Sequence, residues 1–355
     1  MRNNRNDVDV YLEAARLTER YDYQKAINYY NKALEILEKQ VENQDKKEEE
    51  LTENDFVNPV YYNNLAVLYI MKDQREKASE MLVKARDILN KVRKTKPSSI
   101  RLKSISITLY FNEALQLETL GNIGEATNLY KYIIKQEPNY SDAYLRLAIL
   151  ASQRGSHPKA IEYAEKASKY QLDKNSPIPN LVLGNFYTDA QQYSKAEKEF
   201  MKVLNKNQFD SYAHVSIGNL IYDFSCTLRS EPEKQETKLR EALNRYRKGL
   251  EYDDSNAYAA LGIANIIGEY GLTREASEMY RTIDESHSSM PHAIINRAHI
   301  LASQGELLNA LRLYEKTLEK HYGGKNDEIE MWIARLRYET KDYEGCKKAL
   351  KNIMK

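Results

Sequence analysis

Small residues recur along the chain at two fixed positions of a helical pattern. The later series is Ala26, Ala78, Ala126, Ala160, Ala196, Ala242, Ala276, Ala310 and Cys346. Five of its eight intervals are 34 to 36 residues, and the other three are longer by 12 to 18 residues. The earlier series precedes it by 12 residues in eight units and by 24 in the sixth: Ala14, Ala66, Ala114, Ala148, Gly184, Gly218, Ala264, Ala298 and Ala334. Because two antiparallel helices approach closely only where neither carries a bulky side chain, this pattern predicts nine pairs of helices.

Two further residue types keep the same register. An aromatic residue follows the later small residue by four positions in six units: Tyr30, Tyr130, Phe200, Tyr246, Tyr280 and Tyr314. Residues at i and i+4 share a helix face, so each ring and its small residue point together toward the next unit. Glycine stands five residues before the later small residue in four units, where the first helix ends and a left-handed residue is favoured: Gly121, Gly155, Gly271 and Gly305.

The pattern resembles the tetratricopeptide (TPR) repeat, whose helices A and B carry small residues at positions 8 and 20. The resemblance implies an all-α, right-handed TPR solenoid of about nine repeats, without strands, forming a single domain over 1–355. We expect the repeats at 7–40, 59–92, 107–140, 141–174, 177–210, 211–256, 257–290, 291–324 and 327–355.

Three insertions interrupt the 34-residue spacing, at about 41–58, 88–106 and 224–241. The first contains the run DKKEEELTEND, which predicts a solvated loop. The second is basic and forms either a solvated helix end or a contact for phosphate or an acidic tail: Lys91, Arg93, Lys94, Lys96, Arg101 and Lys103. The third separates helices A and B of the sixth unit, where TPR turns are usually short, and we expect it to be a mobile or partner-binding element outside the core.

Composition narrows the function classes. The chain of 355 residues has 53 Lys and Arg against 52 Asp and Glu, a net charge of +1. Neutralising several phosphates needs a basic surplus, so we expect no sequence-specific nucleic-acid binding. Two cysteines are too few for a disulfide framework and fit reduced, intracellular surroundings. No uncharged apolar run approaches 18 residues, so we expect no membrane span.

No catalytic motif stands out. The chain has no phosphate-binding G-x-x-x-x-G-K-[ST] loop, no H-E-x-x-H and no C-x-x-C. Of the six histidines only His292 and His299 share a helix face, and two ligands do not make a zinc site. We therefore predict a protein that is not an enzyme and that needs no cofactor.

A TPR array offers a concave groove lined by helix A. Position 9 of helix A carries Asn185, Asn219, Asn265 and His299 in units 5 to 8, and position 2 carries Tyr212, Tyr258 and His292 in units 6 to 8. Side-chain amides both donate and accept, so a ladder of them can bond the backbone of an extended peptide. Tyrosine adds apolar area with a polar tip. Alternatively, these asparagines cap turns or face water.

Longer stretches resemble one family more specifically, the TPR subunit of the RNA polymerase II-associated factor (Paf) elongation complex. They include YIIKQEPNYSDAYLRLAILASQRGSHPKAIEYAEKA, the sixth unit SIGNLIYDF with its charged insertion and ALNRYRKGLEYDDSNAYAALGIA, and then EYGLTREASEMYRTI. The resemblance covers roughly 8–354 and corresponds to the C-terminal part of that family's repeat array.

The resemblance implies a nuclear scaffold without catalysis. Its expected partners are the other Paf subunits and the RNA polymerase II machinery, in elongation and co-transcriptional histone modification. Two alternatives remain open. A chaperone adaptor needs Lys and Asn at set helix A positions, but units 1 to 3 carry Tyr11, Asn63 and Phe111 at position 5. The repeat domain of a peptide-modifying enzyme, such as a glycosyltransferase, needs a catalytic domain beyond Lys355.

Overall fold

The structure, a computed structural model, describes residues 4–42, 52, 55–95 and 100–354. Within these ranges the chain forms eighteen α-helices and no strand. The first eight helices are α1 (Asn4–Thr18), α2 (Tyr23–Glu42), α3 (Pro59–Met71), α4 (Arg75–Thr95), α5 (Ile100–Thr119), α6 (Ile123–Gln136), α7 (Ser141–Gln153) and α8 (His157–Tyr170). The other ten are α9 (Ile178–Asp189), α10 (Tyr193–Lys206), α11 (Ser211–Thr227), α12 (Pro232–Tyr252), α13 (Ala257–Glu269), α14 (Thr273–Ser286), α15 (Pro291–Ser303), α16 (Leu307–Tyr322), α17 (Asp327–Glu339) and α18 (Tyr343–Ile353).

The helices pack in consecutive antiparallel pairs, and each pair packs on the next within its unit. The contacts divide the chain into two compact units, Met1–Lys174 and Asn175–Lys355. These are called the first unit and the second unit, whereas numbered units (unit 1 to unit 9) are the repeats. The first unit contains α1 to α8, or four pairs, and the second contains α9 to α18, or five pairs. The sequence predicts one domain over 1–355, whereas this division falls between the fourth and fifth repeats. The all-α TPR fold is confirmed.

Small residues at the helix crossings explain why the pairs pack closely. The eight alanines of the later series are fully buried. Gly218 of the earlier series lies against a ring, because a Cβ added there would be 2.7 Å from Cε1 of Tyr246. The aromatic rings that follow the later small residues by four positions fill the core between neighbouring repeats. Among them, Tyr130, Phe200 and Tyr314 are completely inaccessible to solvent. The sequence register therefore identifies the core correctly.

Most A–B turns use one left-handed residue. Gly121, Gly155, Gly271 and Gly305 have φ between 71° and 83°, as their spacing predicts. The corresponding residues of units 2, 5 and 9 are Asp73, Gln191 and Lys341, which also have positive φ. The turn geometry is therefore kept where glycine is absent, at the steric cost of a Cβ in the left-handed region.

The third insertion, predicted as a mobile or partner-binding element outside the core, is helical, and its ends are packed. It lengthens both helices of the sixth unit, so that α11 has 17 residues and α12 has 21, against 13 and 14 in α7 and α8. At its base Ser225 is fully buried and Leu239 is 6% exposed. The intervening residues 226–238 bury no side chain completely. The insertion thus has a packed base and an exposed tip.

The other two insertions lie partly outside the described residues, at 43–51, 53–54 and 96–99. The described part of the second insertion continues α4 to Thr95 and begins α5 at Ile100. Pro97 and Lys96 lie outside the described residues. The charged run of the first insertion lies outside them as well, except for Thr52 and Asp55, which form a local hydrogen bond.

Candidate peptide-binding groove

The predicted groove residues all lie on the A helices of the second unit, on α9, α11, α13 and α15. The structure brings two of them together directly. Tyr212 and Tyr258 are each 53% exposed, and their ring centroids are 6.4 Å apart. His292 occupies the same position of the next repeat and is exposed. Two neighbouring repeats therefore present one continuous aromatic edge to solvent.

Position 9 has an internal role that sequence reasoning missed. The buried hydroxyl of Tyr246 donates to Asn219 Oδ1 at 2.7 Å, and Tyr280 donates to Asn265 Oδ1 at 2.7 Å. In the next repeat the hydroxyl of Tyr314 lies 2.5 Å from Nδ1 of His299. In each case the tyrosine comes from helix B of the same repeat. These position 9 side chains therefore satisfy a hydroxyl in the core.

Asn185 is the exception. Its repeat has Phe200 where the next three have tyrosine, so no hydroxyl is available to bond it. Asn185 is exposed, and it has no hydrogen bond within the described part of the chain. Its whole amide is therefore free to bond a ligand. Where helix B carries Tyr, the position 9 asparagine bonds the tyrosine hydroxyl in the core. Where helix B carries Phe, the asparagine is left to solvent.

The bonds from tyrosine change what the amides can offer to a ligand. The carbonyl oxygens of Asn219 and Asn265 already accept from tyrosine, and Asn265 Oδ1 also accepts from Asn296 Nδ2 at 2.9 Å. Their NH₂ groups remain as donors. The ladder therefore presents mainly donors to a peptide carbonyl, and only Asn185 offers a donor and an unused acceptor.

His299 is neutral in this setting. Burial lowers its pKa, and Trp332 of the next repeat packs against its ring with centroids 4.7 Å apart. If the hydroxyl of Tyr314 donates to Nδ1, Nε2 carries the proton of the neutral ring. Burial likewise raises the pKa of Tyr280 to about 12, so its hydroxyl stays protonated. Neither group contributes charge to the groove near pH 7.

Carboxylates stand one helical turn beyond the position 9 amides. The segments NFYTD, NLIYD and NIIGE place Asp189, Asp223 and Glu269 four residues after Asn185, Asn219 and Asn265. Tyr222 of the sixth unit donates to Glu269 at 3.1 Å. Burial and the charge of Asp189 raise the pKa of Asp223. The recurrence of Asn-x-x-x-acid in three successive repeats is the signal that could have identified these residues.

An open cleft of about 450 Å³ lies in the same region. Its lining includes Tyr222, Asn265, Glu269, Tyr280, Asn296 and His299. These side chains come from α11, α13, α14 and α15, so three successive repeats contribute to one concavity. The cleft combines amide donors, a carboxylate and aromatic walls, and a peptide side chain fits a space of this size.

The predicted basic patch belongs to the first unit. Lys91 and Lys94 are exposed on α4, and Arg101 is exposed on α5. Arg93 donates to Ser106 Oγ at 2.7 Å. Lys103 lies 2.7 Å from Glu137, a carboxylate that follows α6. Lys96 lies outside the described residues. The fold thus brings an acidic residue to a segment that contains none, and offsets part of its charge.

Two other kinds of site have no candidate among the residues that the structure describes. No three His, Cys, Asp or Glu side chains are grouped to hold a metal ion there. None of the helices in the same ranges has the length and apolar character that a bilayer crossing requires.

Comparisons with known proteins agree with the repeat architecture. A model of the tetratricopeptide repeat matches residues 111–177. The RNA polymerase-associated protein CTR9 of Caenorhabditis elegans is 26% identical over 360 residues, covering 98% of this chain and 30% of the relative. The CTR9 homolog of Arabidopsis thaliana is 31% identical over 253 residues, covering 69% of this chain and 23% of the relative. The chain thus spans roughly a quarter to a third of the length of these relatives.

Solved structures support the fold alone. A tetratricopeptide repeat protein from Parabacteroides merdae superposes with a TM-score of 0.58 at 17% identity, covering 79% of this chain and 98% of that protein. The relatives and the fold together confirm the resemblance to the TPR subunit of the Paf complex. A TPR chain of this kind has a role in protein–protein interaction.

Proposed function

We propose that this TPR chain, a relative of the CTR9 proteins, is a non-catalytic scaffold of the Paf complex in the nucleus. In this role it holds other Paf subunits together beside RNA polymerase II during elongation and co-transcriptional histone modification. The similarity to CTR9 over 98% of the chain is the observation that carries this proposal. That relative is an RNA polymerase-associated protein, which indicates the process.

The groove of units 5 to 8 is the proposed contact surface. An extended partner segment lies across the A helices, where the NH₂ groups of Asn219 and Asn265 and the whole amide of Asn185 bond its backbone. Tyr212 and Tyr258 pack against its side chains, because their rings are half exposed and adjacent. His292 and His299 extend the same surface into unit 8.

The described residues of units 1 to 3 do not favour the chaperone-adaptor alternative. A clamp for an acidic tail needs an open amide at position 5 of the early repeats. Asn63, the only asparagine at that position in units 1 to 3, is 6% exposed and accepts a hydrogen bond from Asn112 at 2.9 Å. Its amide oxygen is therefore directed into the core.

A quantitative pull-down with an aromatic-pair variant tests the proposal. The tagged chain is incubated with nuclear extract, and the bound Paf subunits are identified by mass spectrometry. We expect the wild type to recover Paf subunits and the double variant Tyr212→Ala/Tyr258→Ala to recover at least tenfold less. The matched control is Tyr338→Ala/Tyr343→Ala, which removes another exposed tyrosine pair with centroids 5.8 Å apart, on α17 and α18.

Two results would contradict the proposal in different ways. If the wild type recovers no Paf subunit, the assignment to this complex is wrong. If both double variants recover Paf subunits equally well, the complex is correct and the groove is not its contact surface. Circular dichroism of the variants shows whether each remains folded.

A further inference from the structure

The charge of the groove specifies the chemistry of the segment that it takes, and this step rests on the proposed function. Five helix A positions, 2, 5, 9, 12 and 13, carry the groove residues and their neighbours on the same helices in units 5 to 8. None of these positions carries Lys or Arg, whereas position 13 is Asp189, Asp223 and Glu269 in units 5 to 7. In a chain whose net charge is +1, one face of the second unit is thus acidic.

Two of these carboxylates lack a cationic partner in the described structure. Asp223 and Glu269 are exposed, and neither takes part in an ion pair there. Glu269 accepts only from the neutral hydroxyl of Tyr222. Burial, and after it the negative charge of Asp189, raises the pKa of Asp223, and no cation is among the causes.

Carboxylates elsewhere in the second unit are arranged differently. On the B helices several of them pair with a cation of their own helix, as Glu199 does with Lys202 at 2.6 Å and Glu278 with Arg281 at 2.6 Å. The lengthened hairpin has such pairs as well, Lys234 with Glu231 at its tip and Lys238 with Glu241 at 2.7 Å near its base. The groove differs in that the helix A positions around its carboxylates carry no Lys or Arg that could balance them.

The aromatic edge beside the acidic residues has a compatible chemistry. Exposed tyrosine faces attract ammonium and guanidinium groups, and this chain already places Lys195 5.4 Å from the ring centroid of Tyr187. Tyr212 and Tyr258 are open to a cation supplied from outside. The cleft of about 450 Å³ has Glu269 in its wall, so a long basic side chain can reach that carboxylate from the groove.

We propose that the groove of units 5 to 8 binds an extended peptide segment rich in Lys or Arg, whose cationic side chains pair with Asp223 and Glu269 while the amide donors of Asn219 and Asn265 hold its backbone carbonyls. Acidic segments are repelled by the same carboxylates. This division of roles explains why amide and carboxylate recur together, one turn apart, in successive repeats.

The geometry also sets the spacing of the cations. Packed helices lie about 8–10 Å apart, and an extended or polyproline-type chain rises about 3.1–3.4 Å per residue. Basic residues about three positions apart therefore reach carboxylates of successive repeats. A segment with the same number of cations clustered at one end reaches only one of them.

Fluorescence anisotropy with three synthetic probes tests the inference. The probes are labelled dodecapeptides of alanine and serine that carry Lys, Gln or Glu at every third position. We expect the Lys peptide to bind at least tenfold more tightly than the Gln peptide at low salt, with the difference falling as salt rises. The Glu peptide is expected to bind most weakly.

Isosteric variants locate the effect. The double variant Asp223→Asn/Glu269→Gln should lower the affinity for the Lys peptide by about tenfold and leave that for the Gln peptide unchanged. The control Glu236→Gln/Glu278→Gln removes the same charge from helices α12 and α14 and should change neither affinity by more than about twofold. Charge reversal, Asp223→Lys/Glu269→Lys, should make the Glu peptide the preferred probe.

The outcomes separate this inference from the proposed function. If the Lys and Gln peptides bind equally, and both bind more weakly to Tyr212→Ala/Tyr258→Ala, the groove captures peptides and the charge preference is wrong. If none of the three peptides responds to any groove variant, groove capture itself is wrong. If the control pair weakens the Lys peptide as much as the groove pair does, the attraction is to net charge and the inference is overturned.

Discussion

Tyr246 shows how one hydroxyl group constrains the groove surface. The ring is 1% exposed, and its hydroxyl bonds Asn219 Oδ1. A buried donor that loses its partner costs about 1–3 kcal/mol, whereas a typical surface substitution changes stability by less than about 0.5 kcal/mol. An asparagine that looks like a ligand-binding residue on the helix face therefore also stabilises the fold.

The first prediction compares two asparagines at the same helix position. Asn219→Ala should lower the free energy of unfolding by about 1–2 kcal/mol, because it leaves the Tyr246 hydroxyl without a partner. Asn185→Ala should be within about 0.5 kcal/mol of wild type, since its repeat has Phe200 in place of the tyrosine. Urea unfolding of both variants measures the difference.

A double-mutant cycle provides the control for this pair. Tyr246→Phe removes the donor, so Asn219→Ala should cost little in that background. Equal losses for Asn219→Ala with and without the hydroxyl would show that the bond contributes no stability. Asn185→Ala is accordingly the cleanest single change for testing peptide contacts.

The second prediction concerns Asp223. The groups that influence it or lie near it are Asp189 on α9, Tyr193 on α10, Cys226 on its own helix and Tyr246 on α12, and none of them is a cation. Because the folded-state pKa is raised above the ordinary 3.8, the charged carboxylate destabilises the folded protein at neutral pH. Asp223→Asn should therefore raise the free energy of unfolding at pH 7.

The pH dependence checks the sign of this effect. The advantage of Asp223→Asn should be full above the raised pKa, decline as the pH falls through it, and vanish below the ordinary value, where both states are protonated. Denaturant unfolding of wild type and variant at several pH values measures it. An advantage that is constant with pH, or a loss of stability at pH 7, would contradict the electrostatic explanation. A gain in stability with a loss of basic-peptide binding would mark Asp223 as a residue kept for function.

At the scale of the element, the lengthened hairpin of α11 and α12 has a packed base and a solvated tip. Leu239 lies at the base and is 6% exposed, whereas Leu228 follows the end of α11 and is half-buried. Burying one leucine side chain stabilises a fold by about 1.5–3 kcal/mol. The stabilisation therefore comes from the base.

The third prediction follows from this contrast. Leu239→Ala should destabilise the protein by about 2–4 kcal/mol through a cavity, and Leu228→Ala by less than about 1 kcal/mol. Thermal or urea unfolding of the two variants gives the comparison. Similar losses at both positions would mean that the tip is packed as tightly as the base.

The spacing of the small residues predicted where the helices cross, but it did not predict that the third insertion is helical. The small residues at positions 8 and 20 determine the crossings, so Ala160 and Ala242 are buried as expected. The count of extra residues in the sixth unit indicated an insertion but not its conformation. The signal was present, because Pro232 opens a run of good helix formers, and proline is favoured in the first turn of a helix.

The groove was predicted in part for a similar reason. Helix periodicity places Asn219 and Asn265 on one face, and the structure has them on α11 and α13, where Asn265 lines the cleft. Helix periodicity does not reveal that a tyrosine hydroxyl on helix B bonds the same amides, because that contact depends on the packing of two helices. Their carbonyl oxygens are consequently engaged, which a single helix face cannot show.

Across the second unit, the proposed binding surface is built from parts that repeat with the helices. Each of units 5 to 7 contributes one amide and one carboxylate, and two neighbouring units add a tyrosine pair. Because the contacts repeat with the helices, affinity for an extended segment should accumulate over several repeats rather than depend on one pocket. The proposed role in the Paf complex uses this property to hold a long partner segment.

Site-specific photocrosslinking shows directly whether the groove of units 5 to 8 contacts a Paf subunit. A benzophenone amino acid replaces Tyr258 in the groove or, as a control, the similarly exposed Tyr343 on α18. After assembly with nuclear extract and irradiation, we expect the Tyr258 position to crosslink to a Paf subunit, through a peptide rich in Lys or Arg. The Tyr343 position should give much less of that product. Crosslinking to Paf subunits from Tyr343 alone, or from neither position while the complex assembles, would contradict the account.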